Sequence, residues 1–244
     1  MKTTKLFSII LSFCLFMCVS TFSAGCHMRD FRGDGNVVKQ DRKVSSFNGL
    51  EISGAFEIIL NQGDIEAVTV EADENILPYI RTEVVNGTLI IETKDKPFHH
   101  ATRMKVYITI KGLKSIDLSG AIDLQTQNRL NLSDLEIDVS GASNANLDIA
   151  VQKLSLDGSG ASKLIFKGSA VEVKMDLSGA SNIYAFDMPV ENYTISLSGA
   201  GKAEINVLKK LSVEISGAGS IKYKGSPAMI DEDVSGAGTI KKVE

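Results

Sequence analysis

Apolar and polar residues alternate along most of the chain from residue 44 to the end. In the second half, each alternating run leads into the tripeptide Ser-Gly-Ala, and another alternating run follows it. A period of two is typical of β-strands that bury one face. The tripeptide occurs eight times, beginning at Ser53, Ser119, Ser140, Ser159, Ser178, Ser198, Ser216 and Ser235. Each unit therefore predicts a strand, a tight corner, a second strand and a return loop.

The regular spacing of the tripeptide distinguishes between two all-β arrangements. From Ser119 onward the intervals are 21, 19, 19, 20, 18 and 19 residues, which indicates a repeat architecture. Equivalent positions of successive coils are stacked neighbours in a parallel solenoid, at ~4.8 Å, but they are not adjacent in an antiparallel meander. We therefore expect an all-β, right-handed parallel β-solenoid (β-helix) of about 20-residue coils with Ser-Gly-Ala corners.

The corner residues have a structural interpretation and a functional one. Glycine adopts backbone angles with positive φ at little cost, and we expect the alanine beside it to point inward, where only a methyl group fits. A glycine-rich phosphate-binding loop would instead need a helix N-terminus directly after the glycine. Because a strand pattern follows each tripeptide, the structural interpretation is favoured.

Residues 44–113 are strand-like but lack the strict period. Alternation predicts strands at residues 49–61, 67–72, 79–85, 88–93 and 104–110, with a short helical turn at 75–78. Asn86-Gly87 is a strong signal for a two-residue hairpin. This part should start or cap one solenoid domain, residues 44–244, whose regular repeats would occupy residues 114–244.

The first residues predict export. Residues 1–25 have a basic start, an apolar run and a small-residue end, as in a signal peptide. Cys26 follows Ser-Ala-Gly, which resembles a bacterial lipobox with Ser23 where leucine is usual. We expect lipidation at Cys26, a tether over residues 26–43, and an outer-membrane lipoprotein on the cell surface or the periplasmic face.

Charge narrows the list of partners. The formal net charge is −4, and removal of residues 1–25 would take away two lysines and no acidic residue. Nucleic-acid binding needs clustered basic residues, so no nucleic acid is expected. Membrane contact is expected through the lipid anchor only.

One row of acidic residues goes beyond what the fold needs. The second residue before each Ser-Gly-Ala is acidic in every unit except that of Ser196, and the alternation points these side chains outward. Such a row could hold calcium or a cationic ligand, because Ca²⁺ takes several oxygen ligands; a solvated face that blocks aggregation is the favoured alternative. No other cofactor or metal is expected. The row comprises Glu51, Asp117, Asp138, Asp157, Asp176, Glu214 and Asp233.

Two further candidates are isolated. Tyr184 should point outward from a second strand, where it could stack on a sugar or a partner. His99-His100 lacks a third ligand nearby and is expected in an exposed loop. No catalytic motif with assignable roles is present, so no catalytic residue is predicted.

The chain resembles the autotransporter-adhesin head domain family, also called the head GIN domain, of exported Bacteroidetes proteins. The resemblance rests on residues 47–61 (FNGLEISGAFEIILN), 68–80 (VTVEADENILPYI), Asn86-Gly87 with the following Leu-Ile-Ile, and the tandem Ser-Gly-Ala units. It implies a β-helix without known catalytic residues, and adhesion as the function.

We therefore expect a non-enzymatic cell-surface binding or adhesion module. Its ligand would be a glycan or a host or envelope protein, and its oligomeric state is open. Two alternatives remain: a structural envelope protein without a specific ligand, and a polysaccharide-active enzyme of the pectin-lyase-like kind.

Overall fold

The Ser-Gly-Ala units stack on one another along a parallel β-solenoid of about seven turns, with coils of ~19 residues and 74% of the described residues in strands. This architecture is that of a computed structural model, which describes residues 31–94 and 98–244. The predicted fold class is confirmed. The predicted signal peptide and Cys26 lie outside the described residues. No helix in the described part is long and apolar enough to cross a membrane.

Eighteen strands and one 3₁₀ turn make up this part of the chain. The turn, Leu77–Tyr79, lies close to the predicted helical turn. The strands are β1 Phe31–Arg32, β2 Val37–Arg42, β3 Gly49–Gln62, β4 Ala67–Asp73, β5 Ile80–Val85, β6 Thr88–Thr93, β7 Phe98–His100, β8 Met104–Ile110, β9 Ser115–Thr126, β10 Leu130–Asn131, β11 Asp134–Gly141, β12 Asn144–Gly158, β13 Lys163–Gly179, β14 Asn182–Gly199, β15 Lys202–Gly217, β16 Ser220–Lys224, β17 Met229–Gly236 and β18 Thr239–Lys242.

The core consists of rows of apolar side chains that run along the solenoid, one residue from each coil. In one row, Ile116 pairs with Ile137, which pairs in turn with Leu156, and the row continues through Met175 to Ile195. These five side chains are at most 1% exposed. Each coil thus buries its inward face against the coils on either side, which is the main stabilising contribution because the described residues contain no cysteine.

The glycine of each corner packs directly on the glycine of the preceding coil. Gly179 has a φ of 88°, and a Cβ added there would lie 2.5 Å from the carbonyl oxygen of Gly160. The backbone ladder also continues through the corner, because the N–H of Ala180 donates to that same oxygen at 2.8 Å. Only glycine meets both requirements.

The expectation that the corner alanine points inward was wrong. Ala142, Ala161 and Ala180 are all exposed. The left-handed glycine turns the chain, so that the whole tripeptide lies on the outside of the corner. The next residue is the first to point inward, and Ser162 and Ser181 are at most 2% exposed at that position.

The N-terminal part caps one end of the solenoid. Strand β3 pairs in parallel with β8 and with β9, whereas β4 pairs antiparallel with both β8 and β2. The predicted hairpin is confirmed, because β5 and β6 are antiparallel around Asn86 and Gly87, both with positive φ.

Two predicted boundaries need correction. Residues 37–42 were expected in a tether but form β2, the edge strand of the cap, through antiparallel backbone pairing with β4. The regular repeats were expected from residue 114. The in-register stack in fact includes β3, which matches β9 at twelve consecutive positions from Gly49 to Leu60.

Candidate functional site

The acidic row predicted from the sequence is assembled by the strand register. Glu51 lies beside Asp117, which lies beside Asp138 on the next coil. The row continues through Asp157 and Asp176, is interrupted by Ser196, and resumes with Glu214 and Asp233. All of these side chains face solvent or are half-buried. A shallow groove of about 570 Å³ follows the middle of the row.

The electrostatics of the row are those of like charges stacked one per coil. Partial burial raises the pKa of the Asp138 carboxyl, and Glu136, Asp157 and Asp117 raise it further. Lys174 offsets one charge, with its Nζ 2.7 Å from an Asp176 oxygen. In the described part of the chain, no three Asp, Glu, His or Cys side chains converge as a metal site requires. The row is therefore a strip of negative potential.

Tyr184 has the predicted orientation. It is 40% exposed on β14, and Lys163 Nζ lies 5.6 Å from the centre of its ring, within cation–π range. Its register neighbours are Ile165 and Glu204. One face of the ring is thus occupied by a lysine of the preceding coil. A role for Tyr184 in stacking on a ligand stays a prediction.

The histidine pair lies in β7, which pairs with β1, and not in a loop as expected. His100 is exposed, and the side chain of His99 lies outside the described part.

A second concave surface, which the sequence did not reveal, lies where the return loops of the first coils meet the cap. We call it the loop cleft. It has a volume of about 910 Å³. Phe47, Leu113 and Leu135, each at most 4% exposed, lie beneath its polar rim. Its lining is Ser46, Phe47, Asn48, Glu66, residues 111–114, residues 131–136, Lys153 and Ser155.

The loops around the loop cleft are held together by hydrogen bonds. The backbone N–H of Lys114 donates to Asn48 O at 2.7 Å, and that of Glu136 donates to Lys114 O at 2.8 Å. Gln62 Nε2 donates to the carbonyl oxygens of Lys111 and Asn131, at 2.9 and 3.1 Å. The rim is therefore connected from one coil to the next, which favours a preformed shape.

The charges of the loop cleft are largely available to a ligand. Within the described residues, the side chains of Lys111, Lys114 and Lys153 make no ion pair. Asp134 lies beside Lys153 in the strand register, and Asn and Ser side chains fill the spaces between the charges. The surface thus offers several donors and acceptors to one bound molecule.

Sequence reasoning missed the loop cleft for a physical reason. Its residues come from several separate segments that the solenoid brings together, and none of them forms a local motif. Lys114 and Lys153 each lie near the start of a unit, but Asp134 starts the unit between them, so no repeated lysine marks the cleft in the sequence.

A family model supports these structural observations. Residues 46–227 match the family described as "Putative auto-transporter adhesin, head GIN domain". The chain belongs to this family. Membership in the head GIN family supports a cell-surface, adhesion-type role for this chain, and the family is described by adhesion and not by catalysis.

Three solved structures share this fold over most of the chain. A "putative adhesin" from Bacteroides fragilis has 27% identity and a TM-score of 0.84, over 87% of this chain and 100% of its own. A second, from Parabacteroides merdae, has 22% identity and a TM-score of 0.68, over 88% and 99%. A third, from Parabacteroides distasonis, has 23% identity and a TM-score of 0.65, over 87% and 99%. No curated protein sequence matches this chain.

Proposed function

We propose that this head GIN protein is a non-enzymatic adhesin that binds a hydroxyl-rich ligand, such as a glycan, in the loop cleft. The observation that carries the proposal is one preformed concavity lined by charges of both signs, together with amide and hydroxyl groups; the charged residues are Lys111, Lys114, Lys153, Glu66, Asp134 and Glu136. Lysines, amides and hydroxyls donate hydrogen bonds to sugar oxygens, and carboxylates, amides and hydroxyls accept them from sugar hydroxyls. The acidic row adjoins the loop cleft on the same strands, since Glu136 lines the cleft and Asp138 belongs to the row, and it disfavours ligands that carry several negative charges.

The proposal includes export and anchoring. Residues 1–25 would be cleaved as a signal peptide, and Cys26 would carry the lipid that holds the protein to the outer membrane. Support comes from the apolar leader, from the Ser-Ala-Gly-Cys sequence, and from membership in an adhesin family. Metabolic labelling with a fatty-acid analogue would test this, since Cys26→Ser should abolish the label. Labelling that persists in Cys26→Ser would contradict it.

The direct test of ligand binding is an array of neutral and acidic glycans and matrix proteins, probed with residues 27–244. We expect binding to a glycan, and loss of at least about tenfold in affinity when Lys111, Lys114 and Lys153 are all changed to Gln, because three charged hydrogen-bond donors are lost. The matched control changes three exposed lysines far from the loop cleft, Lys167, Lys202 and Lys210, to Gln. Equal losses in the two triple variants would mean that net charge, and not the loop cleft, governs binding.

A blank array would favour the alternative of a structural envelope protein. The pectin-lyase-like alternative has a separate test, in which acidic polysaccharides are incubated with the protein and new reducing or unsaturated ends are measured. We expect none, because no set of residues to which catalytic roles can be assigned is evident in the described part of the chain. Release of such ends would overturn the non-enzymatic assignment.

A further inference from the structure

At the C-terminal end of the solenoid, no strand in the described part of the chain covers the rows of interior side chains. Ile230 continues the row of Leu211, and Val234 continues that of Ile215. Leu211 and Ile215 are fully buried, whereas Ile230 and Val234 are 44% and 42% exposed. Met229, at 59% exposure, lies beside them. The last coil therefore presents to solvent the same positions that every earlier coil buries.

The backbone of the last coil is also open. In the described part of the chain, β17 pairs only with β15, and β18 only with β16. Each of these strands therefore has one edge without a partner strand. We call these two edges, with Met229, Ile230 and Val234, the open end. Unpaired strand edges next to apolar side chains favour the addition of another strand.

The open end carries charges of both signs, separated onto its two strands. β17 contains Asp231, Glu232 and Asp233, and β18 contains Lys241 and Lys242. Glu232 and Lys242 take interior positions, because they continue the rows of Val213 and Tyr223. A strand pair formed by β17 with β17 of another copy would bring like charges together. A pair formed by β17 with β18 would bring opposite charges together.

We propose that the open end is the docking site for the open end of a second copy of this chain. A two-fold axis that exchanges the two sides of the coil places β17 of each copy beside β18 of the other. Such an interface is isologous, so each contact occurs twice. It covers Ile230 and Val234, satisfies the free strand edges, and sets Glu232 of one copy against Lys242 of its partner. The complementary charges are what identify a second copy as the occupant.

The dimer has a geometric consequence. β2 lies at the opposite extreme of the strand order from β18, so the β2 strands of two paired copies would lie at the far ends of the dimer. With each copy anchored through Cys26, the pair would connect two membranes. This consequence, and not the dimer itself, rests on the anchor proposed above.

The test is the molar mass of residues 27–244 by sedimentation equilibrium over a range of concentrations. We expect a dimer, and dissociation constants at least about tenfold larger for Glu232→Lys and for Lys242→Glu, because each change sets like charges against each other. The double variant E232K/K242E should restore dimerisation, since both symmetric contacts are reversed together. The control is Glu172→Lys, which makes the same change in charge as Glu232→Lys but on an inner coil. It should leave the dissociation constant of the dimer unchanged.

Folding is checked separately by thermal unfolding, which the exposed substitutions should barely alter. A protein that stays monomeric at every concentration would overturn the proposal, and so would a dimer that both single reversals leave intact. A monomer that instead pairs with a strand of a different protein would assign the open end to that partner. None of these results depends on whether the loop cleft binds a glycan.

Discussion

The cap and the open end terminate the same solenoid by different strand pairing. At the cap, β4 runs antiparallel to β8 and β2, and its inward residues Val70 and Ala72 are fully buried. At the open end, β17 keeps the parallel pairing of every earlier coil, and Ile230 is 44% exposed. Because β4 and β2 are antiparallel to their neighbours, the cap does not offer the parallel strand edge on which another coil could form. The open end retains such an edge, which makes it the reactive end of the molecule.

The largest expected effect comes from the corner glycines, and it should decline toward the open end. Gly179→Ala places a methyl group 2.5 Å from the Gly160 carbonyl oxygen in an inner coil, and should lower the free energy of unfolding by about 3 kcal/mol. Gly236→Ala makes a similar clash at 2.7 Å with Gly217. Because the last coil is free to move outward, we expect Gly236→Ala to lower the free energy of unfolding by less than about half as much as Gly179→Ala.

Urea unfolding of the two glycine variants measures this difference. The neighbouring change Ala180→Ser, on the exposed outside of the corner, serves as the control and should have little effect. Equal losses for Gly179→Ala and Gly236→Ala would show that the last coil is as constrained as the inner ones, which would contradict the comparison.

A matched pair of valines tests the core in the same way. Val173 is fully buried in an inner coil, whereas Val234 is 42% exposed in the last one. Val173→Ala should cost about 2 kcal/mol through lost burial and the cavity left behind. Val234→Ala should cost less than about 0.5 kcal/mol in the monomer. The check is unfolding at a concentration where only monomer is present. A large loss for Val234→Ala under those conditions would mean that something already covers the open end.

The cap should have its own pH dependence. Hydrogen bonds from Arg103 and Tyr107 lower the pKa of the Glu71 carboxyl, and burial opposes them. A lowered pKa in the folded state stabilises the protein above the carboxyl's ordinary pKa, and this contribution is lost as the pH falls through the folded value. Glu71→Gln should therefore cost about 1 kcal/mol at neutral pH, with a smaller difference from wild type in acid.

Urea unfolding at neutral and acidic pH measures the effect of Glu71. Asp64→Asn, an exposed change next to the same end of the solenoid, is the control and should leave the free energy of unfolding at neutral pH nearly unchanged. A difference for Glu71→Gln that stays constant as the pH falls would argue against an ionised Glu71 as the stabilising group.

The smallest expected effect concerns the acidic row. Burial and neighbouring carboxylates raise the pKa of Asp138, so its charged form destabilises the fold, and this penalty is relieved as the pH falls through the raised pKa. Asp138→Asn should raise the melting temperature slightly at neutral pH and should have no effect in acid. Asp233→Asn, at the open end with an acidic neighbour on one side only, should raise the melting temperature by less. Equal increases for the two variants would mean that repulsion between stacked carboxylates is not the cause of the effect.

The sequence predicted the features that repeat and missed those that do not. The acidic row from Glu51 to Asp233 followed from counting positions before each Ser-Gly-Ala, because identical spacing in parallel coils brings identical positions together. The alanine was misplaced because the corner was expected to have room inside for a methyl group only, whereas the tripeptide lies on the outside of the corner. The loop cleft depends on contacts among separate loops, such as Lys114 with Asn48, which no local pattern encodes.

The stacked glycine corners also make the length of this protein adjustable in whole steps. Each corner meets its neighbours through the same backbone contacts, as between Gly160 and Gly179, so one coil can be joined to any other. Residues 158–176 make up one full coil, because Gly158 is the register partner of Leu177 on the next coil. Duplication of this stretch would move the open end outward by ~4.8 Å. The cap and the loop cleft would be unchanged. The distance between the cap and the open end would thus be a quantity that unequal recombination can alter one coil at a time.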